Sequence, residues 1–199
     1  MKRNPTNPPA AAPAAVSSAA AAPGHRIVTS QHLVSAKSPE LSELEFGLAI
    51  VFNAYSRWML RCMTAAGFPD LAALDVLVLH HVNSQDQEKK LADICFVLNV
   101  EDTHVVSYAL KKLGGMALVE GSKRGKEVFF RTTGRGRDAC RRYRQVRETC
   151  LMPGFAGTPE ENARLGDTAA LLRTLSGRYD QAARAAAAAV FTSLDREAS

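Results

Sequence analysis

Between residues 39 and 66 the apolar side chains Leu44, Leu48, Val51, Phe52, Tyr55, Met59 and Cys62 recur at three- and four-residue steps. That spacing predicts one long amphipathic helix. Ser38-Pro39-Glu40 suits its start, with a capping hydroxyl, a proline for the first turn and a carboxylate for the dipole. Gly67 ends it. Pro69-Asp70 opens the next element, with Asp70 expected to cap "LAALDVLVLHHV" and Leu71, Leu74, Leu77 and Val78 expected to be buried. "VLVLHHV" taken alone also fits a strand. A polar loop, "NSQDQE", follows.

Residues 89–98 read as a short helix with Leu91, Ile94, Val97 and Leu98 inward. Asn99 can take the left-handed conformation that stops a helix, and Val100 packs in the turn. Asp102 or Thr103 then caps a second helix that reaches about Gly114. "NVED" is thus a turn between two helices. In the second helix Val105, Val106, Ala109, Leu110 and Leu113 form an apolar stripe. His104, Ser107, Tyr108 and Lys111 share another face, and each can donate a hydrogen bond.

After Gly114-Gly115, two β-prone runs at about 117–120 and 127–132 flank a turn holding Gly121, Lys123, Arg124, Gly125 and Lys126, which predicts a hairpin. Thr132 or Thr133 caps a helix to about Leu151, basic at Arg135, Arg137, Arg141, Arg142, Arg144 and Arg147. Pro153-Gly154 breaks the chain. Thr158-Pro159-Glu160-Glu161 starts a last helix with Leu165, Ala169, Leu172 and Leu175 on one face. "AARAAAAAV" extends that helix or frays.

The expected organisation is an Ala/Pro-rich disordered tail at 1–38, one folded domain at 39–180, and an Ala-rich helical or frayed tail at 181–199. Lys2 and Arg3 precede an Ala-rich stretch, but Pro5, Pro8, Pro9 and Pro13 interrupt it, against a signal peptide. No uninterrupted apolar run is long enough for a membrane span. Four cysteines without a CxxC pair (Cys62, Cys95, Cys140 and Cys150) point to reduced thiols and a cytoplasmic setting.

Charge sharpens the picture. The chain carries a formal +5, but residues 89–147 alone hold 14 basic and 6 acidic side chains, a local net of +8. A surplus confined to the helix–turn–helix and hairpin favours a polyanionic partner. The second helix of such a pair fits a B-DNA major groove, and the basic hairpin tip reaches the neighbouring minor groove or backbone. The expected DNA-binding residues are Thr103, His104, Ser107, Tyr108 and Lys111 on the second helix, and Lys123, Arg124 and Lys126 at the hairpin. Lys89 and Lys90, placed at the start of the preceding helix, complete the set by meeting phosphates.

The order of elements resembles the MarR family of winged helix-turn-helix transcription regulators, on residues of "LADI", "VEDTHVVSYALKKL", "ALVE" and "RTTGRGR". These are similar to the family's Leu-Ala-x-x-Leu start, Val-Ser-x-x-Thr-Val-Thr-x-x-Leu-x-x-Leu recognition helix, Gly-Leu-Val strand and Leu-Thr-x-x-Gly helix opening, over about residues 40–178. Two features depart from the pattern: "LADICFVLNV" is about three residues longer than usual, and the short wing lacks Asp-x-Arg near its tip. The resemblance implies a mainly α fold with a small β-hairpin wing and N- and C-terminal dimerisation helices. It further implies a homodimer on a palindromic operator of double-stranded DNA, and a small-molecule effector pocket for which Tyr55, Trp58 and Arg61 are candidates. Wide apolar faces on the first and last helices support dimerisation independently.

Other chemistries are weaker. Cys140 lies among arginines that favour thiolate, which makes it the candidate for thiol-based redox sensing. Adjacent His80 and His81 diverge by about 100° on a helix and cannot share one metal, so no metal site is expected, nor any cofactor. No GxSxG, Walker or Rossmann glycine pattern occurs, and no enzyme is expected. The expected function is a sequence-specific, effector-responsive repressor. The alternative is a structural or partner-binding winged helix with non-specific DNA binding.

Overall fold

The computed structural model describes residues 31–197, without the side chains of Gln31, Asp86 and residues 190 onward. Most of the expected N-terminal tail, residues 1–30, therefore lies outside the described residues. The chain divides into two compact units, Met1–Ser56 and Arg57–Ser199.

The first unit holds a short 3-10 turn at Gln31–Leu33, an isolated bridge between Ser35 and Ser38, and the N-terminal part of helix α1, Pro39–Ala65. The helix begins where Ser38 and Pro39 predict, and Leu41 N donates to the Ser38 carbonyl. Ser42 Oγ donates to the Leu33 carbonyl at 3.1 Å and is buried. Ile50, Val51, Phe52 and Tyr55 are each more than half exposed on α1.

The second unit is built from the end of α1, then α2 (Ala73–Asn83), β1 (Lys89–Lys90), α3 (Leu91–Val97), α4 (Thr103–Gly115), β2 (Val119–Arg124), β3 (Glu127–Thr132), α5 (Gly134–Cys150) and α6 (Pro159–Glu197). Its core joins Met59, Cys62 and Met63 of α1 to Val76, Val78, Leu79 and Val82 of α2. Ile94 of α3, Val106, Leu110 and Leu113 of α4, Leu118, and Ala139 and Tyr143 of α5 complete it. The strand alternative for "VLVLHHV" is set aside, since those residues are helical through Asn83.

Asp70 does not cap α2. The helix begins three residues later, and Asp75 in its first turn accepts from Ala72 N at 2.7 Å. The carboxylate thus satisfies one of the free amides that every helix start presents.

The turn between α3 and α4 follows the sequence. Asn99 has φ +52°, and the Asp102 side chain accepts from His104 N at 2.8 Å. Within α3 the inward set is different: Ile94 and Cys95 are buried, while Phe96 and Val97 are 86% and 59% exposed. Leu98 and Val100 pack partly buried against the core.

The sheet has the order β1-β3-β2, all antiparallel. Lys89 and Lys90 pair with Phe130 and Phe129 in this sheet, and Lys90 is also the N-cap of α3, its N donating to Asp93 Oδ2 at 3.4 Å. The hairpin turn is tighter than the sequence predicts. Arg124 pairs with Glu127, so Gly121–Arg124 belong to β2 and only Gly125-Lys126 turn the chain. Gly125 has φ +63°, as a two-residue hairpin of this kind favours at its first position.

Thr133 caps α5, accepting from Gly136 N at 3.0 Å and donating to the Ala117 carbonyl at 2.7 Å. Thr158 accepts from Glu161 N at the start of α6, which continues helical through the Ala-rich stretch. On α6 Leu175 is buried, whereas Leu165, Leu171 and Leu172 are exposed.

Candidate nucleic-acid interface

Helix α4 separates its two faces. Val106, Ala109, Leu110 and Leu113 are buried, which anchors the helix, while Val105 is 41% exposed. Thr103, His104 and Lys111 are exposed on the opposite side, Tyr108 is 71% exposed, and Ser107 is half-buried. Asp102 satisfies an amide at the N-terminus and leaves the outer face to solvent. The back edge of α4 is tied down: Lys112 Nζ meets the buried Asp75 carboxylate at 2.7 Å. A cleft of about 440 Å³ runs beside this contact, lined by Leu74, His104, Val105 and Tyr108 among others.

At the wing, Lys123 and Lys126 are exposed at and beside the turn. Arg124 is engaged within the domain. Its guanidinium meets Glu88 at 2.7 Å and stands 5.0 Å from the centre of the Phe129 ring. Lys90 Nζ meets Glu127 at 2.8 Å and lies 5.2 Å from the same ring. Phe129 thus has two cations at its faces or edge, each also paired with a carboxylate, and these contacts brace the wing against β1. Lys89 is buried. The sequence places Lys89 and Lys90 at the start of α3; Lys90 does cap that helix, and both residues also join the wing sheet. A two-residue strand has no periodicity, so this role left no signal in the sequence.

The reactive-thiol expectation for Cys140 does not fit its burial. Burial pushes its thiol up to about 11, the opposite of what a reactive thiolate needs. The neighbouring arginines on α5 extend to solvent and do not offset the desolvation. Cys62 is buried as well, donates to the Tyr143 carbonyl at 3.4 Å and is likewise pushed up to about 11, chiefly by burial. Cys150 is exposed. Of the effector candidates, Tyr55 is half exposed in the first unit, Trp58 packs partly buried against the core and Arg61 is exposed. None of the three lines the cleft beside α4.

Residues 71–136 match the family model for a winged helix DNA-binding domain. Solved structures share the architecture. A MarR family transcriptional regulator from Rhodococcus sp. RHA1 is 14% identical with a TM-score of 0.56, over 68% of this chain and 94% of that one. The fold is a winged helix of the MarR type.

Streptococcus pneumoniae FabT, solved in complex with DNA, is 16% identical with a TM-score of 0.54, covering 68% of this chain and 96% of FabT. CouR from Rhodococcus jostii RHA1, solved with p-coumaroyl-CoA, is 14% identical with a TM-score of 0.56, covering 67% and 91%. No curated protein matches the sequence. In the winged-helix architecture α3 and α4 take the helix-turn-helix positions and β2 and β3 the wing. Among the described residues no helix is long and apolar enough to cross a membrane, and no group of His, Cys, Asp and Glu could hold a metal ion.

Proposed function

We propose that this chain is a sequence-specific DNA-binding transcription regulator of the cytoplasm that acts as a homodimer on a roughly palindromic operator. One observation carries the reading: the outer face of α4 presents Thr103, His104, Tyr108 and Lys111 to solvent, in a winged-helix domain whose wing carries the exposed cations Lys123 and Lys126. Donors on such a helix read base edges in the major groove, and wing cations hold phosphate. The exposed apolar residues of α1 and α6 favour a second copy as their cover, since patches of this kind mark interfaces. Two-fold symmetry then sets two recognition helices about one helical turn of DNA apart.

The regulator acts as a repressor released by a small-molecule effector that binds the DNA-competent and DNA-incompetent states unequally. Tyr55, Trp58 and Arg61 on α1 are the residues assigned to that effector. FabT bound to DNA and CouR bound to p-coumaroyl-CoA support the two halves of this reading by likeness of fold.

Selection of bound duplexes from a random pool, followed by competition titration, tests it. A specific regulator prefers the selected, symmetric site by about 10³-fold or more at physiological salt. Equal affinity for all duplexes, or a monomer at micromolar concentration, would leave the winged helix as a non-specific or structural DNA-binding module.

A further inference from the structure

Helix α5 carries Arg137, Arg141, Arg144 and Arg147 at successive steps of four, three and three residues, which places them along one side of the helix. These four arginines, with His80 and Asn83 of α2, line a cleft of about 440 Å³. Among the described residues no carboxylate lines it. A second cleft of about 730 Å³ adjoins it, sharing Asn83 and Arg137 and continuing toward Glu88 and Arg131 at the wing.

The arginines are only lightly engaged. Arg137 donates to the Thr132 carbonyl at 2.9 Å, Arg141 meets Asp138 at 3.1 Å on the surface, and Arg147 meets Glu148 at 3.5 Å. Among the described residues Arg144 has no carboxylate within salt-bridge distance. Four like charges on one helix side repel one another, and the carboxylate at the far end of the second cleft, Glu88, is held by Arg124 of the wing.

A second observation comes from the groove wall. The His80 ring packs edge-to-face on Tyr143 with centroids 4.4 Å apart, and its Nε2 is buried without a hydrogen-bond partner. A buried polar atom left in that state implies a missing partner. Burial also lowers the His80 pKa, so the ring is neutral near pH 7 and can serve as donor or acceptor.

We propose that the groove between α2 and α5 binds a small polyanion, a phosphorylated metabolite with at least two phosphate groups, held by the guanidinium forks of α5 and by His80. Planar guanidinium groups match phosphate oxygens two at a time. The groove lies apart from the recognition face. Asp75, which holds α4, and His80 lie about 140° apart around α2. A buried imidazole nitrogen is within reach of a small anion entering the cleft, whereas duplex phosphates are held to the outer surface of a rigid rod. Binding of the anion stands independently of the regulator reading; only an effect of that binding on DNA affinity rests on it.

Calorimetric titration of sodium tripolyphosphate into the full-length protein, without DNA and at physiological salt, tests the proposal. Saturable binding is expected, weakened about tenfold or more by Arg141→Gln with Arg144→Gln. Arg144→Lys should lose less, because it keeps the charge and loses only the fork. Lys123→Ala with Lys126→Ala should leave the affinity unchanged. In the unmodified protein the His80 imidazole resonances should shift on saturation, a readout that needs no variant to fold. Loss of binding in the wing variant and not in the arginine variant would overturn the proposal. So would absence of tripolyphosphate binding together with weaker duplex binding by the arginine variant, which would make the groove a DNA-backbone contact.

Discussion

Lys112 Nζ stands 2.7 Å from Asp75 Oδ2 and joins the back edge of α4 to the first turn of α2. The Asp75 side chain is 5% exposed and also accepts from Ala72 N at 2.7 Å, so one carboxylate starts one helix and anchors another. Lys112 remains 30% exposed, so solvent screens part of the attraction.

Asp75→Ala removes both contacts and leaves an ammonium and an amide unpaired. It should cost about 2–3 kcal/mol, read as a lower urea midpoint at unchanged slope. Lys112→Met, which leaves the aspartate its amide contact, should cost less. Equal losses for the two would show that the cap contributes nothing.

Backbone space at the wing base sets a second expectation. A Cβ on Gly136 would overlap the Leu118 carbonyl oxygen, which is main chain and cannot swing aside. Gly136→Ala should therefore destabilise by about 1–3 kcal/mol or more. Gly134→Ala, with nothing nearer than a guanidinium at 4.0 Å, serves as the control in the same thermal melt. Ala117 closes α4 at φ +54°, a conformation unfavourable to a residue with a Cβ. Ala117→Gly should raise stability by up to about 1 kcal/mol, because relief of that strain outweighs the added freedom of the unfolded chain.

Wing charges should separate in a salt titration of duplex binding. Lys126→Ala should lower the slope of log affinity against log salt by about 1 per monomer. Arg124→Ala should change it less and should loosen the wing, since Arg124 holds Glu88 and lies against Phe129. Glu88→Gln should release Arg124 and strengthen non-specific duplex binding. Identical slopes for the Arg124 and Lys126 variants would refute this division.

Thiol chemistry offers a fourth check. At pH 8 a thiol with a pKa of about 11 is roughly one part in a thousand thiolate. Cys62 and Cys140 should therefore resist iodoacetamide in the native protein while exposed Cys150 reacts, as peptide mass mapping would show. The same groups make stability depend on pH. Their folded values of about 11 lie above the ordinary 9.0, so the folded chain keeps protons that the unfolded chain releases. Their contribution is full below pH 9 and is lost as pH rises through 11. Denaturant midpoints should fall over that window, less steeply in Cys140→Ala.

The order of helices, the turn at Asn99–Asp102, the Thr133 and Thr158 caps and the existence of the hairpin were all legible in the sequence. Each depends on residues within a few positions of one another: a hydroxyl or carboxylate reaching amides of the next turn, a left-handed residue ending a helix, apolar groups returning at the helical period. The solvent-facing side of α4 was legible for the same reason, because a helix that buries Val106, Leu110 and Leu113 must turn His104, Tyr108 and Lys111 outward.

What only the tertiary structure decided depends on partners distant in the chain. Lys89 and Lys90 form a strand because the edge of β3 offers Phe129 and Phe130 as partners; two residues carry no period of their own. Asp75 finds Lys112, Arg124 finds Glu88 and Lys90 finds Glu127, each across 36 or 37 positions for which local spacing provides no rule. Cys140 borders the arginine cleft, but its thiol is buried and desolvation decides its pKa. The core takes its thiol while the longer side chains reach water, and desolvation acts on where an atom lies, not on which residues flank it.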